Sequence, residues 1–121
     1  MKYMLLIYHE EQAWSGLSEQ ERQKMYAEYG QFTQEIIASG HHLGGSELHP
    51  ISTATSVRVR DGKQLATDGP FAETKEQLGG YYLIEADNLD EAIGIAARIP
   101  SARVGTVEVR PVSEAAAPAS A

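Results

Sequence analysis

The sequence predicts an α+β fold of the split β-α-β kind, with a β-hairpin set into its middle. Three observations carry this. Residues 2–8 and 79–86 are short apolar runs rich in aromatic and branched side chains, the composition of strands buried in a sheet. Each run is followed by a segment whose apolar residues return at the helical period of 3.6 rather than the strand period of two. Between the two halves, Asp61-Gly62 separates two short stretches and is the strongest short-range signal of a hairpin turn.

Taken in order, residues 2–8 form the first strand. Ser18 with Glu21 three residues later is a capping box, and Met25, Tyr29, Phe32 and Ile36 follow at i, i+4, i+7 and i+11, which places a long amphipathic helix there. Ser39-Gly40 ends it, because Gly readily takes the left-handed conformation that closes a helix. From His41 the chain turns Gly-, Thr- and Ser-rich, and the next strand assigned is the alternating Ser56–Arg60. Asp61-Gly62 suits a type I′ turn, and Lys63 to Thr67 is the return strand. The apolar strand Gly79–Ala86 comes next. Asp87-Asn88 caps a short helix over Leu89–Ile99 with Leu89, Ala92, Ile93 and Ala96 inward, and Pro100 stops it. The last strand is Thr106–Arg110, with Pro111 at its exit.

This order is that of a ferredoxin-like sheet with both helices on one face. The other face should then be polar in a monomer, yet the first strand and Gly79–Ala86 are apolar on both parities. The simplest cover is the same face of a second copy, an isologous two-fold dimer with a cleft between sheet and helices.

The 121 residues, 42% of them hydrophobic and 22% charged, fit one globular domain, expected over 1–112, with a frayed Ala/Pro-rich tail at 113–121. The net charge of −7 opposes binding to phosphate backbones, so no nucleic acid partner is expected. Without cysteine, disulfides, thiolate nucleophiles and Cys-ligated metals are excluded. The four histidines, at 9, 41, 42 and 49, include no His-x-x-x-His pair, and neither a metal nor another cofactor is expected. Met4–Tyr8 is far too short to span a bilayer and lacks the flanks of a secretory signal, so a cytoplasmic location away from membranes is expected.

At Thr67-Asp-Gly-Pro-Phe-Ala-Glu-Thr-Lys-Glu-Gln-Leu-Gly-Gly-Tyr-Tyr82 the chain resembles the signature of the YCII-related proteins, in the branch called DGPF-domain proteins. The likeness extends to Met1–Tyr8, Val57–Gly62, Leu89–Ala92 and Gly105–Pro111. The resemblance implies a dimeric α/β barrel built from two ferredoxin-like protomers. It implies less about chemistry: proteins on this fold include small-molecule isomerases, monooxygenases and dehydrochlorinases, and many DGPF proteins are encoded beside extracytoplasmic-function sigma factors or fused to them. In another branch of the family a His–Asp pair in the cleft is held to be catalytic. The His position corresponds here to Tyr29, a poor proton acceptor at neutral pH, so that mechanism is not carried over.

Several residues are candidates for chemistry. Asp68 opens the Asp68–Phe71 turn, either as the turn's local hydrogen-bond acceptor or as a carboxylate aimed into the cleft. Glu73, Lys75 and Gln77 share one side if their segment is extended, where acid and amine together could bind a polar substrate or move a proton; the alternative is a solvated salt bridge. Tyr81 and Tyr82 face opposite ways on their strand, so one is core and the other offers its hydroxyl to the cleft or to the dimer interface. His9, at a strand end, suits a proton carrier near Asp68 or Glu73, or is simply a surface histidine. Trp14, in the following loop, either closes over a ligand or packs on the helix.

The first functional expectation is therefore binding of a small polar metabolite in the barrel cleft, with lyase- or isomerase-type acid/base chemistry. Asp68, Glu73 and His9 would be its catalytic residues and Tyr29, Lys75, Tyr81 and Tyr82 its binding residues. The alternative is a non-catalytic interaction module tied to an extracytoplasmic-function sigma factor, with Phe71 and Trp14 as exposed anchors.

Overall fold

In the computed structural model, residues 1–114 are described, so most of the expected tail lies outside them. Among the described residues, six strands and three α-helices follow in the order β1 Lys2–His9, α1 Glu11–Ser15, α2 Glu19–Ala38, β2 His42–Glu47, β3 Thr55–Arg60, β4 Lys63–Asp68, β5 Gln77–Glu85, α3 Leu89–Ala97 and β6 Thr106–Pro111. The main sheet is antiparallel in the order β2-β5-β1-β6, the ferredoxin-like arrangement, and β3-β4 stands apart as a two-stranded hairpin. No helix among the described residues is long and apolar enough to cross a membrane.

Local signals explain most boundaries. Ser18 caps α2 through both bonds of the capping box: its Oγ accepts from the Glu21 N–H, and its own N–H donates to the Glu21 carboxylate, each at 3.1 Å. Gly40 ends that helix at φ 81°. Asp61 and Gly62 both have positive φ, 52° and 74°, as a type I′ turn requires. Three elements differ from expectation. Trp14 sits not in a loop but on the short helix α1. His42–Glu47 pairs with β5 as an edge strand in spite of its glycines, and there Gly45 is required: a Cβ would stand 2.7 Å from the Tyr81 carbonyl oxygen. In α3 the buried stripe is Ala92, Ile95 and Ala96, continued by Ile99, while Leu89 and Ile93 are exposed. Ala92 and Ala96 are inward as expected, and packing against the sheet completes their stripe with Ile95 and Ile99 rather than with Leu89 and Ile93.

The core lies between sheet and helices. Tyr3, Leu5 and Ile7 of β1 and Tyr82 and Ile84 of β5 pack there with Phe32 and Ile36 of α2. The opposite parity forms the second face: Met4 pairs with Leu83, Leu6 with Tyr81 and Tyr8 with Leu78, and all six are half-buried. Among the described residues, no helix covers that apolar surface.

Two carboxylates bind the helix starts. The Ser18 bonds hold the Glu21 carboxyl below its ordinary value of 4.5, and the Asp87 N–H, with a smaller contribution from His41, does the same for Glu91. A carboxyl whose pKa is depressed by folding contributes stability above its unfolded value and loses it as pH falls through the folded one. Thermal midpoints measured downward from about pH 6 should fall below the ordinary carboxylate range, and Ser18→Ala should flatten that fall. An unchanged acid slope in Ser18→Ala would show that the box does not operate.

Candidate functional site

A cavity of about 690 Å³ opens between the end of β1, helices α1 and α2, and the adjoining ends of β2 and β5. Helix α2 supplies Tyr26, Tyr29 and Thr33, one stripe at i, i+3 and i+7 turned toward it. Its inner wall is a run of hydroxyls. The Tyr29 hydroxyl donates to Ser101 Oγ at 2.5 Å, and Thr33 Oγ1 donates to the Tyr29 carbonyl at 2.8 Å. Because the Thr33 proton is committed there, the Tyr82 hydroxyl, 2.7 Å from Thr33 Oγ1, is the donor of that pair. Burial pushes the Tyr29 and Tyr82 phenols up from their ordinary value of 10.0, so both are neutral hydrogen-bonding groups. The Tyr82 ring is fixed edge-on by Phe32 at 5.2 Å and by His42 at 6.2 Å.

The outer wall is aromatic and acidic. Trp14 meets Tyr26 edge-on at 5.4 Å and 86°, and the His9 ring lies 6.3 Å from Trp14. The Tyr26 hydroxyl donates to the Glu47 carboxylate at 3.1 Å; desolvation first, then this bond, pushes its pKa up. Glu11 is tied from both ends: its N–H donates to Gln77 Oε1 at 3.0 Å, and its Oε2 accepts the Ile51 N–H at 2.9 Å.

His9 is placed by a bulge. Ile7 pairs with Gly80 and Tyr8 with Leu78, leaving Gly79 as the extra residue of β5, and the imidazole fills the space above it. A Cβ at residue 79 would lie 2.7 Å from His9 Nε2. His9 Nδ1 is buried with no hydrogen-bond partner among the described residues, an uncommon state that costs stability.

The cavity therefore brings together His9, Tyr29 and Tyr82 of the expected site, while Tyr81 borders it on β5 with its side chain turned, like that of Leu6, to the other face of the sheet. Asp68, Glu73 and Lys75 are elsewhere. Asp68 is exposed at the end of β4, where the turn is closed by backbone and by the Ser56 hydroxyl bonding the Gly69 carbonyl, 2.7 Å. Residues 69–76 are neither helix nor strand; Glu73 is exposed on them, and Lys75 lines a separate, shallow polar groove with Tyr8, Glu10 and Glu108. Gln77 is occupied by Glu11 and by the carbonyls of Thr74 and Lys75. The sequence reading missed Tyr26, Thr33, Glu47 and Ser101. The α2 stripe was the available signal for the first two, whereas the contribution of Ser101, distant in sequence, left none. Among the described residues no three His, Cys, Asp or Glu side chains form a metal-binding set.

The family model of the YCII-related domain matches residues 1–116. The chain is also 35% identical over 115 residues to an uncharacterised protein of Rhizobium meliloti (strain 1021), with 93% of each chain covered. With its ferredoxin-like topology and near-complete match to that model, the chain belongs to the YCII-related family.

Proposed function

We propose that the protein binds a small organic metabolite in this cavity and acts on it by acid/base chemistry of the lyase or isomerase type, working as a two-fold dimer. The supporting observation is the His9 imidazole, which lines a roomy cavity and whose Nδ1 has no hydrogen-bond partner among the described residues. His9 would move the proton. The hydroxyls of Tyr29 and Tyr82, whose own protons go to Ser101 and Thr33, would present oxygen lone pairs to a hydrogen-bond donor on the ligand. The dimer rests on the uncovered apolar sheet face, which two copies would hide from water by pairing it with itself.

A thermal-shift screen against metabolites supplies ligands, and ligand NMR in D2O reads proton exchange. Wild type should exchange a carbon-bound proton of a bound ligand, and His9→Gln should slow that exchange by about 10²–10⁴-fold. Equal rates, or hits whose binding is indifferent to His9→Gln and Tyr29→Phe alike, would overturn the proposal.

A second reading, an interaction module for a sigma factor or similar partner, has one observation in its favour: Phe71 is 78% exposed, with the Arg58 guanidinium 5.2 Å from its ring. Capture of a native partner that Phe71→Ala abolishes would support it. Capture of nothing but the protein itself would count against it.

A further inference from the structure

We infer that the cavity takes an organic cation, an amine or quaternary ammonium group carried on a small apolar body. This rests on the binding reading above and names its ligand class. The first observation is the charge inventory. Among the described residues neither Lys nor Arg lines the cavity, whereas Glu11 and Glu47 both do. Arg22, whose charge reaches the Tyr26 hydroxyl, hydrogen-bonds the Leu17 carbonyl and does not line the cavity. Each carboxylate has spare acceptor capacity: among the described residues, Glu47 receives only the Tyr26 hydroxyl, and Glu11 receives only the Ile51 N–H, on one of its two oxygens.

The second observation is the shape of the aromatic wall. Trp14 and Tyr26 meet at 86°, so two ring systems form a corner beside Glu47, with the His9 ring 6.3 Å from Trp14. Faces of Trp and Tyr attract a cation placed over them, most strongly once water is displaced. A carboxylate at the edge of such a corner adds the full charge that the ring quadrupoles lack. An anionic ligand would meet two carboxylates and no fixed cation. A neutral apolar ligand would desolvate Glu47 without giving it a counter-charge. Only a cation both fills the corner and satisfies the carboxylates.

The test uses the full chain and three probes of similar size, by calorimetry at about pH 8, where an ordinary imidazole carries no charge. They are benzyltrimethylammonium, its uncharged carbon isostere neopentylbenzene, and the anion phenylacetate. The cation should bind at least about tenfold tighter than the isostere, and phenylacetate weakest. Glu47→Gln, which keeps the shape and an acceptor for Tyr26, should bring cation and isostere to within about threefold, and Trp14→Leu should weaken the cation most. Glu11→Gln provides a second charge variant should Glu47→Gln fold poorly. Equal or tighter binding of the isostere or of phenylacetate overturns the inference while leaving a metabolite-binding cavity in place. A cation preference unmoved by all three variants overturns it too, because the cation then sits elsewhere. Binding of no probe also overturns it; whether the cavity binds and acts on any metabolite is read separately, from the screen and from exchange in D2O.

Discussion

Leu83→Asp should convert the proposed dimer of two 13.2 kDa chains into a particle of a single chain, read by sedimentation at working concentrations. Leu83 is half-buried on the sheet face away from the helices, opposite Met4 and diagonal to Leu6. In a two-fold interface the substitution appears twice, and each new carboxylate would be buried without a partner, at several kcal/mol apiece. The dissociation constant should therefore rise by at least about a thousandfold. The protomer's own core should survive, because Leu5, Tyr82 and Ile84 point the other way, and far-UV circular dichroism should report an unchanged fold. Wild type sedimenting as one chain would remove the dimer, and with it the explanation of the two-sided apolar strands.

Gly105→Ala has the largest expected effect on stability for the least chemical change. A Cβ at residue 105 would run into the Tyr8 carbonyl oxygen and lie 3.2 Å from His9 Cα, so backbone rather than a movable side chain blocks it. Either β1 or the turn into β6 must shift, and overpacking of this kind costs about 1–3 kcal/mol. The shift falls on the end of β1 that presents His9, so ligand binding should weaken along with the denaturant midpoint. Gly94→Ala is the matched control. It lies within α3 with nothing within 4 Å of the added methyl and should stabilise by about 0.5–1 kcal/mol through helix propensity alone. If both substitutions moved the midpoint in the same direction, the close approach at Gly105 would not be what limits that residue.

Legibility in the sequence tracked the range of the interaction. The ends of α2 and the hairpin turn are decided within a few residues, by the Ser18–Glu21 box, Gly40 and Asp61-Gly62, and all three were readable. Strand β2 was not, because Gly44 and Gly45 lower strand propensity locally while the crowded approach of Tyr81 and Tyr82 demands a glycine there. The α3 face was half legible for a related reason: Ala92 and Ala96 were read inward, but whether Leu89 and Ile93 or Ile95 and Ile99 flank them inside could be chosen only by the sheet beneath.

The candidate site divides along the same line. That His9 ends a strand, that Tyr29 lies on the long helix and that Tyr81 and Tyr82 alternate are properties of local period, present in the chain before it folds. Which of these residues share a cavity is not. Asp68 and Lys75 lie closer to Tyr81 in sequence than His9 does, yet the antiparallel pairing of β1 with β5 sets His9 over Gly79, while the separate hairpin carries Asp68 away. Strand pairing joins residues some seventy positions apart, and no short-range pattern encodes which side chains then converge. Order, caps and turns belonged to the sequence; the meeting of His9 with the tyrosines belonged to the tertiary structure, because long-range register exists only once the sheet has formed.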